Sequence, residues 1–588
     1  GDRKLQGHAL INLGGIAFEQ GDFPKALDFL TRAQEMNRSV KDRGGLAVTL
    51  YYLARLETQR KNLSAAKSFM KEAIELSEFT RTHAGSQEQR ISYLATVDQY
   101  YRFNIDLLMR MHQENPSAGH DAEALKVSEQ LRARSLLDLL TEGRAEIKRG
   151  IASEIAQAEL QVRRALSIAL ENQTRLLNGN QKDPDFPIRK AQAEKEVERR
   201  TLEYQDLQIQ IRSKHKGYAD LQYPQPLGLK EIQKNLLDPD TVLLEYSLGD
   251  QQSYLWVATQ TSLVSYELPR KVEVGRAAQK VYECLIAPGL EAEFLQGATD
   301  PQAQARQKVM FNQYVAQKNA EFPQAAAELS QMIVQPAAAL LSRRKRVLIV
   351  ADGWLQYIPF AALPDPGVPV RKAQPLIVNH EILNLPSAST LSVLQNNLTG
   401  RQLAPKKMAL LADPVFSPAD DRVRAVTSQV SQPVAENLLA CPWFSNRGFT
   451  LDRLPATRKL AHIVRSLVPP GQYTIALDFG ANLNFATSND LSHFQIVHFA
   501  THGMLNSENP DWSGLILSLV DVTGHSVPGF LTTLETFTLN LPAELVVLQG
   551  CQTGFGLDPF KTETGKLQSQ SITNEGLTGL TRGLMYSG

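Results

Sequence analysis

The sequence predicts an array of α-helical repeats and a long helical hairpin, followed by an α/β domain built on a mainly parallel sheet. Three patterns predict it. Small and apolar residues recur at a fixed spacing through the first 140 or so positions, residues 145–216 keep an apolar period near 3.5, and beyond residue 224 short β-branched runs alternate with helical ones. At 588 residues the chain is too long for one core. A hydrophobic content of 43% with 21% charged residues is that of a globular protein. Sixty-two basic residues against 62 acidic ones give no electrostatic reason to expect nucleic acid or an anionic membrane as partner. No apolar run approaches the roughly 18–20 residues that span a bilayer. The opening GDRKLQGHAL lacks a signal peptide's apolar centre, and it begins inside a helical pattern without a Met, so a start upstream is expected. Three cysteines are too few for a disulfide framework or a structural zinc site, which makes a reducing cytoplasm the expected location and leaves no metal or cofactor expected.

In the first segment Leu13-Gly14, Ala17, Gly21-Asp22-Phe23, Ala26, Leu30 and Ala33 follow the helix-turn-helix spacing of a tetratricopeptide repeat. Forty residues later Leu53-Ala54, Lys61-Asn62-Leu63, Ala66, Met70 and Ala73 repeat it. The small residues let paired helices approach, and Gly21 or Asn62 turns the chain between them. A weaker third copy is expected over 92–140, broken at Pro116 and closed by LKVSEQLRARSLLDLL. Repeats therefore fill 1–144, as a concave docking surface or a plain spacer. Two helices, 151–177 and 188–214, flank the breaker string NGNQKDPDFP and form an antiparallel hairpin over 145–222, with a solvated charged face.

The α/β domain is expected over 223–588, as an N-terminal subdomain (223–343) and a catalytic subdomain (344–588). Strands are expected at VLLEYSL, SYLWVAT, SLVSYEL, RVLIV, MALLAD, YTIALDF, FQIVHFA, LILSLV and ELVVLQG. Helices are expected at AAQKVYECLI, around 325–341, at SASTLSVLQNN and at TRKLAHIVRSL. Asp352-Gly353 and Asp413-Pro414 follow strands, either lining a pocket rim or supplying turn chemistry. Gly565-Lys566-Leu567 lacks the rest of a phosphate-binding loop, and no GxGxxG follows a strand, which disfavours a nucleotide-dependent enzyme.

Two of the apolar runs end on reactive side chains. FQIVHFATHG closes on His502 and ELVVLQGCQTG on Cys551, with small residues at once on either side, as where strands stop at a sheet's carboxyl edge. The separation, 551 − 502 = 49, and the His-before-Cys order match the caspase signature, in which the His precedes QAC[RQG]G by about 50 residues. Here the string is Gln549-Gly550-Cys551-Gln552-Thr553-Gly554. Acyl transfer at neutral pH needs a thiolate, and a free thiol near pKa ~8.5 is only slightly ionised until an imidazole helps. The amides of Gly503 and Cys551, expected at strand ends without ladder partners, are the candidate oxyanion donors. His498 is expected in the core or at an edge, and Cys284 and Cys441 as structural thiols.

Together, the repeats, the hairpin, VLIVADGWLQYIPFAALP, LPATRKLA, VHFATHG and VVLQGCQTGFG resemble, in that order, the CHAT domain family of caspase-like cysteine peptidases attached to tetratricopeptide repeats. The resemblance covers essentially the whole chain. It implies a caspase/separase-like fold, a catalytic His at His502, a nucleophile at Cys551 and an oxyanion-hole amide at Gly503. Two departures stand out. The family's Ala-Cys-Glu-Thr-Gly is replaced by Gly550-Cys551-Gln552-Thr553-Gly554, and EGLTGLTRGLMYSG normally leads into a further strand, so a chain cut short at its C-terminus as well is expected, with activity in doubt for the fragment. In that frame the polar stretch 557–574 resembles a loop that moves or is cut on activation, or else is a plain insertion.

The leading expectation is thus a cysteine endopeptidase whose repeats recruit a protein substrate or regulator. The alternative is an inactive repeat scaffold for protein–protein interaction. A preference for basic residues would require an acidic pocket, to which Asp352 or Asp511 could contribute, unless both are turn residues.

Overall fold

The computed structural model describes residues 3–82, 87–133, scattered helical positions within 161–206, and 226–290, 300–366, 374–398, 402–423, 451, 453–504, 514–525, 527–536 and 539–550. The first expected helix of the hairpin therefore lies almost wholly outside the described residues, and the described positions between 188 and 206 are helical.

Four helices open the chain: α1 (Arg3–Glu19), α2 (Phe23–Ser39), α3 (Arg43–Gln59) and α4 (Leu63–Thr82). The first three are 17 residues long with three-residue links, so each pair advances by 43 − 3 = 40 residues, the period of the pattern. Ala26, Ala54 and Ala66 are fully buried. A Cβ on Gly14 would meet Leu30 Cγ at 2.7 Å, so α1 and α2 close only on a glycine. Each link places one residue in the left-handed region, Gly21, Lys41 or Lys61, and follows it with a helix cap. Asp22, Asp42 and Asn62 accept the amides of Lys25, Gly45 and Ala65. Asn62, expected to turn the chain, caps α4 instead; Lys61 makes the turn.

The next two helices serve a different layer. α5 (Gln87–Glu114) is followed by a 3-10 turn at Pro116–Ala118 and by α6 (120–133). Tyr101, Ile105, Leu108 and Leu125 share one apolar cluster with Leu243, Tyr254, Trp256 and Leu348 of the first sheet. That sheet has the order β3-β2-β1-β4-β5, from β1 (Thr241–Ser247), β2 (Ser253–Ala258), β3 (Leu263–Leu268), β4 (Arg346–Val350) and β5 (Glu381–Leu385). It begins behind the short helix α7 (Leu229–Asn235). β1 pairs antiparallel with β2 and parallel with β4, so one sheet runs across the division expected at 343/344.

Period-two alternation assigns the faces. Val242, Leu244 and Tyr246 turn to the side opposite Leu243, where they meet Val274, Ala278 and Val281 of α8 (Lys271–Ile286) and Leu329 and Ile333 of α9 (Pro301–Ile333). α9 starts well before the expected residue 325 and carries Pro323 inside it; a 3-10 turn around Pro336 follows, and a short helix at Ala338–Leu341 completes the expected stretch.

α10 (Ala388–Leu398) leads to a second sheet of order β12-β8-β6-β7, parallel throughout. Its strands are β6 (Lys406–Ala412), β7 (Tyr473–Leu477), β8 (Phe494–Ala500) and β12 (Leu545–Gln549). Leu410, Ala412 and Ala500 pack on Ala461 and Val464 of α11 (Pro455–Leu467). Ala409, Leu411, Val497 and Phe499 face the other core. The expected strand LILSLV shortens to β10 (Gly514–Ile516), the centre of a small antiparallel sheet with β9 (His502–Met504) and β11 (Phe530–Thr532).

Candidate active site

β8 and β12 are parallel neighbours whose register ends at Ala500 opposite Gln549. The ladder closes with the Thr501 amide donating to the Gln549 carbonyl at 3.1 Å. Two residues beyond Ala500 stands His502, and two residues beyond Gln549 in the sequence stands Cys551, which lies outside the described residues. Gly550, the last described residue, is exposed at the end of β12.

His502 opens β9 and is half-buried. Its ring lies 5.1 Å from that of Phe416, tilted by 53°. The residue before it is anchored: Thr501 is buried and its hydroxyl donates to the Ile516 carbonyl. Inside the strand, His498 is half-buried, its Nε2 3.1 Å from Gln549 Oε1, and burial lowers its pKa.

Gly503 corrects one expectation, since it lies within a ladder, opposite Leu515. The pairing still leaves its amide turned outward. Leu517 donates its N–H to Gly529, and backbone groups alternate in antiparallel strands, so Leu515 bonds toward β11 while Gly514 and Ile516 bond toward β9. Gly503 therefore belongs to the widely spaced kind of pair, and its N–H points to the outer edge of β9.

The loops expected to rim a pocket are occupied by ion pairs. Asp352 is sealed at 1% exposure, accepting the Leu248 amide at 2.6 Å and facing Arg102 and Arg132 at 3.3 and 3.5 Å. Burial alone would raise its pKa, but the two guanidiniums hold it below the ordinary carboxylate range. It cannot line a specificity pocket, because α5 and α6 cover it with cations of their own. Asp511 lies outside the described residues, as do Cys441 and 557–574. Cys284 is buried on α8, and burial pushes its thiol pKa up.

Asp413, fully buried after β6, has a φ of +46° and meets Arg422, Arg453 and Arg458 at 3.2, 3.3 and 2.6 Å. Asp478, after β7, shares Arg422 and Arg458. Sequence reasoning missed these arginines and Phe416. MALLADPVF carries a signal for the Phe, three residues past the strand-end Asp, but nothing in the spacing of the arginines points to Asp413.

Helical repeats are thus joined to an α/β domain in which His502 follows one parallel strand and, in the sequence, Cys551 follows its neighbour. Residues 323–588 match the CHAT domain and residues 5–78 the tetratricopeptide repeat, so the chain carries a CHAT domain behind tetratricopeptide repeats. The CHAT domain is related to the caspase-like cysteine peptidases, and tetratricopeptide repeats are protein-interaction modules. No curated protein matches the chain. Among the described residues no helix is long and apolar enough to cross a membrane.

Proposed function

We propose that the chain is a cysteine endopeptidase in which Cys551 is the nucleophile and His502 its base. The observation that carries it is the common end of β8 and β12: register pairs Ala500 with Gln549, and each candidate stands two residues further on. The Cys551 thiolate attacks the scissile carbonyl carbon, forming a C–S bond while the carbonyl π pair moves to oxygen. The outward Gly503 amide and that of Cys551 receive the oxyanion. His502, having taken the thiol proton, returns it to the departing amine, and water then hydrolyses the thioester.

The repeats at the N-terminus would recruit the substrate or a regulator, both proteins, within a division into repeats (1–144), hairpin (145–222) and CHAT domain (223–588). An electrophilic peptide probe, a peptidyl acyloxymethyl ketone, tests the site by mass spectrometry. Label is expected on Cys551, lost in Cys551→Ala and reduced at least tenfold in His502→Gln. Label that persists unchanged in Cys551→Ala refutes the assignment. Binding of a partner without any labelling or cleavage would make the chain a scaffold.

A further inference from the structure

Between β6 and the candidate site runs the four-residue loop Asp413-Pro414-Val415-Phe416. Its backbone groups are tied down one after another. The Asp413 amide donates to Thr457 Oγ1 at 3.0 Å, and Arg422 donates to the Asp413 and Pro414 carbonyls at 2.7 and 3.2 Å. Val415 donates its amide to Ser518 Oγ at 3.1 Å and accepts the Leu519 amide at 2.9 Å. Ser518 Oγ in turn donates to the Asp478 carbonyl at 2.8 Å. The left-handed φ of Asp413 is unusual for a non-glycine, and the three arginines around its carboxylate hold it there.

What the loop delivers is Phe416, 3% exposed and packed with Ile516 and Leu519. Ile516 is the residue opposite His502 in the β9–β10 ladder. The phenyl ring and the imidazole are thus referenced to the same strand, 5.1 Å apart. We propose that Phe416 is the positioning residue of the His502 imidazole, and that Arg422 is the clasp that keeps the loop from yielding. The ring packs against one side of the imidazole and restrains its rotation. Misplacement by about 1 Å can cost on the order of 100-fold in such a site, so the restraint is worth building. This rests on His502 acting as the base, yet the ring's orientation can be measured without any activity.

The test uses the full chain with 13C-labelled histidine, its His502 Cε1–H resonance assigned by loss in His502→Gln. Phe416's ring current is expected to displace that resonance. In Phe416→Ala it moves toward the position of an unstacked imidazole, while Phe416→Tyr keeps it. In parallel, iodoacetamide alkylation of Cys551 at neutral pH, read on its own proteolytic peptide, is expected to slow about tenfold in Phe416→Ala and to recover in Phe416→Tyr. Phe416→Leu, which preserves most of the packed volume, guards against simple unfolding and should resemble Ala in resonance but wild type in melting temperature. An unmoved resonance in Phe416→Ala overturns the proposal, as does a moved resonance with an unchanged alkylation rate where His502→Gln slows it. If His502→Gln alkylates at the wild-type rate, the peptidase reading falls instead, and the resonance alone decides whether Phe416 sets the ring.

Discussion

Asp106 on α5 illustrates how individual residues are strained by the contact between helix and sheet. Burial raises its pKa from 3.8 to about 6, against the opposing pull of Arg110. A folded-state value above the unfolded one means that the carboxyl contributes stability below about pH 3.8, and that this is lost as pH climbs through about 6. Asp106→Asn is therefore expected to be more stable than wild type by roughly 1–3 kcal/mol at pH 8 and to show no gain at pH 3.5, since a tenfold change in proton affinity between the folded and unfolded chain is worth about 1.4 kcal/mol. Urea unfolding at the two pH values checks it. The strand ends ahead of His502 and Cys551 were readable because both runs are apolar and β-branched and stop at small residues. What surrounds them was not, since Phe416 reaches His502, and Arg422 and Arg458 reach Asp413, from segments with no periodic link to those strands.

Between elements, one long-range tie is Glu129 of α6, which is fully buried and reaches 259 residues along the chain to the start of α10. Its two oxygens accept the amides of Ala388 at 2.8 Å and Ser389 at 2.7 Å, and the Ser389 hydroxyl as well. These are donors that a helix's own first turn leaves unmatched. Glu129→Ala is expected to cost about 2–3 kcal/mol, with Glu129→Gln losing less, measured by urea unfolding. One turn further on, Arg132 donates to the Ala351 carbonyl at 2.8 Å and lies 3.7 Å from Glu245 and 3.5 Å from Asp352. Arg132→Met takes from the buried Glu245 the guanidinium beside it and leaves Asp352 with Arg102 as its remaining cation, for an expected loss of about 3–5 kcal/mol. Most strands were legible because their runs are apolar and β-branched. β5, β9 and β11 were not: EILNL alternates with polar residues at a sheet edge, and the other two are three residues each.

For the molecule as a whole, the decisive fact is that α5 and α6 cover one face of the five-stranded sheet while α8 and α9 cover the other. A chain beginning at residue 223 would expose Leu243, Tyr254, Trp256 and Leu348 together. Such a chain is expected to aggregate or to bind a hydrophobic dye strongly, whereas a chain lacking only 1–40 keeps α3 and α4 on α5 and the sheet covered, and stays monodisperse in gel filtration. Linear pattern could not anticipate this layer, because α5 and α6 continue the rhythm of the repeats while their buried side belongs to strands more than a hundred residues away.

The uniform step of the first four helices has a consequence for descent. Duplication or loss of the first 40-residue unit, α1 and α2, leaves the contacts of α3 and α4 with α5 and α6 intact, so recombination can lengthen or shorten the array there. The same event within 87–133 would tear open the α/β half, which makes those two helices inheritable only together with the sheet they roof.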